Sequence, residues 1–182
     1  MTTKYSILRA SFAKIVMLVL GFAVPVTVPA DLTPANSRKA VADFTLIDSK
    51  GASVKLSDYK GKVVLLDFWA TWCGGCKVEI PWYMEFQNTY KEKGLSVVGV
   101  SMDDDGWKSV KPFIAENKIN YPIVIGNSDL GTQFGVSALP VTLLIDRNGK
   151  IAESHAGMVD KDAFEREIQV LLKETGTKSV AK

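Results

Sequence analysis

The 182-residue chain has two cysteines, Cys73 and Cys76, and both lie in WATWCGGCKVEIPW, residues 69–82. Two thiols separated by two residues can serve as a redox couple, as half of a metal site or as a small structural staple. The staple gives little, because closing so short a loop hardly restricts the unfolded chain. A closed zinc site needs four ligands, and the pair plus His155, the single histidine, offers three at most. The redox couple asks for something else: one thiol with a lowered pKa to attack and a second to resolve the mixed disulfide.

A strand-to-helix junction meets that need. VVLLDFW, residues 63–69, is an apolar run of strand length and reads as a buried strand. After the cysteines, Val78, Trp82, Phe86 and Tyr90 recur every four residues, which predicts one face of a helix ending at Gly94 and running through Pro81. Cys73 then faces the unpaired N–H groups and positive dipole end of that helix, an environment that favours thiolate. Cys76 sits one turn inside, on the same side.

The remaining elements frame this junction. Phe44–Ile47 and Ala52–Leu56 flank the turn Asp48-Ser49-Lys50-Gly51 and predict a β-hairpin. Leu95–Met102, Ile123–Ile125 and Val141–Ile145 read as strands, and Asp146-Arg147-Asn148-Gly149 as a turn into a strand over Lys150–His155. Helices are expected from Asp105, as cap, to about Glu116, over Asp129–Phe134 capped by Ser128, and from Asp160 to Gly176. Strands alternating with helices predict an α/β sandwich around a mixed central sheet.

Length allows one domain: 42–176 folded, 31–41 as linker and 177–182 as a frayed tail. In residues 1–30, Lys4, Arg9 and Lys14 precede an apolar run from Ile15 to Val28, and Val28-Pro29-Ala30 suits cleavage. This is the pattern of an export signal or a retained membrane anchor, and either places the domain outside the cytoplasm. Beyond residue 30 acids exceed Lys and Arg by one, which leaves no general basic surface for nucleic acid.

DFWATWCGGCKVEIP resembles the active-site segment of the thioredoxin superfamily. ADFTLIDSKGASVKLSDYKGKVVLLDFWATWC and ALPVTLLIDRNGKI resemble the N-terminal hairpin and cis-proline segments of its exported TlpA/ResA-like branch, an AhpC/TSA-like domain. The resemblance spans about Ala42 to Leu172, and Leu95–Ile125 falls where that branch inserts a strand and helix. It implies a thioredoxin fold, a three-layer α/β/α sandwich, and thiol–disulfide exchange with exported proteins, often apocytochrome cysteines, without cofactor or metal. A membrane electron donor for re-reduction and a monomeric state are further expectations.

Carried over residue by residue, the resemblance implies Cys73 as nucleophile and Cys76 as resolving thiol of a redox disulfide. It implies a cis Pro140 beside the pair, with the backbone of Leu139 free to pair with an incoming peptide as an added strand. Val141 departs from the threonine of many relatives. Asp67 matches a buried acid of cytoplasmic thioredoxins that handles the Cys76 proton, and Glu79 matches a functional glutamate of ResA-like proteins; spacing does not choose between them. Each could instead be a solvated acid. Trp69 and Trp72 match aromatics that wall the site, with core packing the other reading of Trp69. The peroxiredoxin pattern is missing, since Ala70 and Leu66 stand where a Thr or Ser and a Pro should precede Cys73. A Sco-type copper site with His155 as third ligand is the other-class alternative, although those relatives space their cysteines by three.

Overall fold

The computed structural model describes residues 32–176. Five strands form a mixed sheet in the order β5 (Ile123–Ile125), β4 (Leu95–Ser101), β3 (Val63–Trp69), β6 (Val141–Ile145) and β7 (Ile151–Ala156). β3, β4 and β5 are parallel, and β6 and β7 are antiparallel to their neighbours. β1 (Thr45–Ile47) and β2 (Ser53–Lys55) make the N-terminal hairpin, bridged to β5 through Asp48 and Val124.

Every residue of β3 and β4 is buried, as expected of parallel strands covered on both faces. Alternation along β3 sorts the core. Val63, Leu65 and Trp69 face α1 (Gly74–Tyr90), α2 (Trp107–Asn117) and α4 (Lys161–Lys173), while Val64, Leu66 and Phe68 face the hairpin and α3 (Ser128–Gln133). Asp67 shares the parity of Leu65 and Trp69, so its carboxyl enters the layer beneath α1.

Four expectations need correction. The buried face of α1 is Cys76, Glu79, Ile80, Tyr83, Phe86, Gln87 and Tyr90, whereas Val78 is 47% exposed. A strict repeat of four drifts around a helix of 3.6 residues per turn, and the buried Glu79 and Gln87 hide the true stripe from a search for apolar residues. Gly106, with φ 56°, stands at the N-cap of α2 in place of Asp105, whose carboxylate instead accepts from Ser109 Oγ. Asn127 caps α3, accepting from the Leu130 N–H, and Ser128 is its first residue. The stretch 35–40, read as linker, is docked: Arg38 is buried, paired with Asp146 at 3.1 Å and with both oxygens of Glu174 at 2.6 and 2.9 Å, and the Ile151 N–H donates to the Lys39 carbonyl. The export segment and the 177–182 tail lie outside the described residues. Among the described residues no helix is long and apolar enough to cross a membrane.

Candidate functional site

Cys73 is the N-cap of α1, and its sulfur accepts from the Cys76 N–H at 3.2 Å. The two cysteines form a disulfide. Cys73 is 6% exposed and Cys76 1%, so Cys73 is the less buried of the pair. The helix N-terminus favours negative charge at the reduced Cys73.

The turn that presents Cys73 is held from β4. The Cys73 N–H donates to the Ala70 carbonyl. Inside this turn the Thr71 N–H donates to both oxygens of Asp103, at 2.9 and 3.2 Å, and Thr71 Oγ1 donates to Asp103 at 2.5 Å. Ser101 Oγ completes the cradle of the 5% exposed Asp103 carboxylate. Asp103 stands just past β4, and the sequence does not single it out because its partner Thr71 is 32 residues away.

Around the disulfide the surface is apolar. Trp72 is 68% exposed and lines a shallow groove with Met102, Val136, Ser137, Ala138 and Leu139. The Leu139–Pro140 peptide is cis, and among the described residues the backbone of Leu139 takes no hydrogen-bond partner. A Cβ added to Gly75 would lie 3.0 Å from Met158 Cγ and 3.4 Å from Pro140 Cδ, so glycine lets both side chains close over the pair. Met158, 55% exposed, had no signature in the sequence. Trp69 is wholly buried against Phe113 and belongs to the core rather than to the wall of the site.

Behind Cys76 the core holds an unusual set of polar groups. Asp67 is 1% exposed, and neither of its oxygens has a hydrogen-bond partner among the described residues. Its registered neighbours across the sheet are Gly99 and Thr142, and Thr142 shares a 2.9 Å hydrogen bond with the Tyr83 hydroxyl. The space over Gly99 is taken by Ile123, the Trp69 indole nitrogen and the Tyr121 ring, at 2.5, 3.0 and 3.2 Å from a built Cβ. Glu79 is fully buried: Oε1 accepts from the Val159 N–H at 2.7 Å, and Oε2 has no partner among the described residues. Both carboxyls reach the same layer, as the sequence left open, and neither is solvated.

Electrostatics follow from this burial. Desolvation first, and the charge of Glu79 second, push the Asp67 pKa well above the usual carboxylate range. Burial also raises Glu79, opposed by the Val159 N–H, by His155 and by Tyr83. Tyr83 and Tyr121 are raised well above ordinary tyrosine by burial and by these acids. The layer beneath α1 therefore holds two buried carboxyls whose ionisation is disfavoured.

His155 is turned elsewhere, its ring bonded to the Met158 carbonyl at 3.1 Å. Among the described residues no group of three or more His, Cys, Asp or Glu side chains could hold a metal ion, which gives the copper alternative no support.

Residues 38–154 match the AhpC/TSA family model. The chain is 35% identical over 163 residues to the thiol-disulfide oxidoreductase ResA of Bacillus thuringiensis (strain Al Hakam), an alignment covering 86% of this chain and 93% of that protein. The thioredoxin domain of a thiol-disulfide oxidoreductase from Bacteroides vulgatus superposes with TM-score 0.66 at 31% identity, over 73% of this chain and 96% of that one. The exposed lipoprotein thioredoxin of Streptococcus pneumoniae superposes with TM-score 0.64 at 31% identity, over 71% and 100%. A Cys-X-X-Cys disulfide at the head of a helix in this fold, with relatives so named, makes the chain a thiol-disulfide oxidoreductase of thioredoxin fold, and it belongs to the AhpC/TSA family in its ResA-like branch.

Proposed function

We propose that the chain works outside the cytoplasm as a disulfide reductase for exported proteins, apocytochrome c cysteines among them. The observation that carries the mechanism is Cys73 at the α1 N-cap, the less buried cysteine of the disulfide. In the reduced enzyme the Cys73 thiolate attacks one sulfur of a substrate disulfide. The substrate S–S bond breaks, and its second sulfur leaves as a thiolate. Cys76 then attacks Cys73, its thiol proton passing to the carboxylate of Glu79, the less strongly raised of the two acids, with Asp67 as its protonated neighbour. The mixed disulfide breaks and the substrate departs with two thiols, two electrons having moved from the Cys pair to the substrate. An extended substrate lies in the groove beside Trp72, pairing with the backbone of Leu139 beside cis-Pro140.

Export is supported by the basic and apolar pattern of residues 1–30, and the similar pneumococcal protein is described as an exposed lipoprotein. The reducing direction is supported by Gly74-Gly75, which adds no group to stabilise the Cys73 thiolate, and a less stabilised thiolate makes a less oxidising couple. A reductant there needs re-reduction by a membrane electron donor. The test is capture in the native compartment: Cys76→Ala should accumulate mixed disulfides with exported proteins, and Cys73→Ala should abolish turnover. Equal residual turnover in both variants removes the assignment of Cys73. A glutathione-equilibrated potential near about −120 mV, that of strong oxidants, removes the reducing direction.

A further inference from the structure

Charge is not spread evenly over the domain. The sheet register defines two edges, and one of them carries Cys73 after β3, Pro140 before β6 and Met158 after β7. At the opposite edge Lys60 and Lys62 precede β3, Lys91 and Lys93 precede β4, and Lys150 precedes β7. Arg147 binds these segments together: its guanidinium donates to the carbonyls of Gly61 at 2.7 Å, Lys93 at 3.2 Å and Leu172 at 3.0 Å. The end of α4, with exposed Lys173, therefore lies on the same edge, and Lys60, Lys62, Lys91 and Lys93 are exposed there too.

The acids of that edge are mostly engaged. Asp146 and Glu174 pair with Arg38, and Asp43 accepts the N–H groups of Phe44 and Ser57; exposed Asp58 and Glu92 stand beside the lysines. Over residues 32–176 nineteen acids face seventeen Lys and Arg. The lysine edge is thus a segregation made by folding, not a result of basic composition.

We propose that this edge docks on an anionic lipid surface and holds the disulfide on the far side of the domain, where exported substrates can reach it. Charge complementarity is one argument. The path of the chain is the other: it leaves the described fold at Leu32, where the Thr33 N–H donates to Ala152, one residue into β7 from this edge. Just before lies the apolar run Ile15–Val28 with Lys4, Arg9 and Lys14 on its flank, so the proposal rests on the reading that this segment brings the chain to a membrane. Within a Debye length of about 10 Å, each lysine strengthens binding to an anionic bilayer about fivefold.

The experiment is co-sedimentation of the full chain with phosphatidylcholine vesicles, with and without about one-third phosphatidylglycerol. The wild type should prefer the anionic vesicles by tenfold or more, and added salt should weaken the preference. Lys60→Gln/Lys62→Gln/Lys91→Gln/Lys93→Gln should lose at least tenfold of it while reducing a disulfide at the wild-type rate. Lys77→Gln/Lys108→Gln/Lys111→Gln/Lys161→Gln, in the first two turns of α1, α2 and α4, which begin on the disulfide side, should keep it. Should the fourfold edge variant misfold, Lys60→Gln/Lys62→Gln carries the test, with about half the logarithmic loss expected. An unchanged preference in the edge variants, or an equal loss in the control, overturns the proposal and assigns attraction to residues 1–31 or to net charge. Tighter binding to polyglutamate than to anionic vesicles also overturns it, in favour of an acidic protein partner. Lost turnover with intact lipid preference would count against the catalytic reading alone.

Discussion

Replacing Asp67 by asparagine probes the buried acid pair at its centre. Among the described residues Asp67 has no hydrogen-bond partner for either oxygen, and burial together with Glu79 raises its pKa well above the ordinary value. In the unfolded chain the same carboxyl ionises near about 3.9. Between that pH and its folded value, the unfolded state has released a proton that the native state keeps, so stability falls as pH rises. The slope is about 1.4 kcal/mol per pH unit for one group, and it flattens once the native carboxyl ionises too. Glu79 is raised in the same direction, so the wild-type slope approaches about 2.7 kcal/mol per unit wherever both are held neutral. Asp67→Asn removes one contribution, and its stability relative to wild type should climb with pH by up to about 1.4 kcal/mol per unit. The assay is urea unfolding of the oxidised protein at a series of pH values from about 4.5 to 8.5, since the disulfide cysteines do not titrate. A difference between variant and wild type that stays constant over that range would refute the claim that the fold keeps Asp67 protonated. In the reduced enzyme the same variant should slow turnover and displace its pH profile, because Glu79 then receives the Cys76 proton without its neighbouring acid.

Asp103→Ala should slow alkylation of Cys73 and raise its apparent pKa, Thr71→Val should do so less because the Thr71 N–H still reaches the Asp103 carboxylate, and the double variant should be no worse than Asp103→Ala; additive effects in this cycle would show two separate roles. Trp72→Ala should raise KM for a protein disulfide while changing stability by no more than about 0.5 kcal/mol, since the ring is largely exposed; a KM equal to wild type would remove the groove from substrate binding. Arg38→Ala should cost about 3 kcal/mol in urea unfolding, the low end for a broken buried ion pair, because Asp146 keeps its bonds from the Asn148 and Lys150 N–H groups; a cost under about 1 kcal/mol would mean that residues 32–40 are not held by this clamp.

Much of the scaffold is legible because its signals are local. The run 63–69 is apolar without interruption save Asp67, the turn at 146–149 has the residues its geometry requires, and Asp160 caps α4 as expected, its carboxylate accepting from the Ala163 N–H. The cap of α2 was not legible, since Gly106 takes a positive φ that no neighbouring residue type announces. The inward face of α1 was misread for a related reason: Glu79 and Gln87 are buried through bonds to Val159 and Val97, and those partners lie 80 and 10 residues away.

Sequence alone determined the chemistry, because two cysteines three positions apart at a strand-to-helix junction bring their sulfurs together wherever the helix forms. It also determined which residues were candidates for handling the proton. Only the tertiary structure decided that Asp67 and Glu79 are both buried and that Glu79 raises the cost of ionising Asp67, that Trp69 packs in the core while Trp72 faces solvent, and that Met158 closes over Gly75. It also separated a lysine edge from a disulfide edge in a chain whose charges nearly balance. The physical reason is common to all of these. Burial, dielectric and surface potential depend on which distant segments the sheet register places side by side, and no local pattern of residues encodes that register by itself.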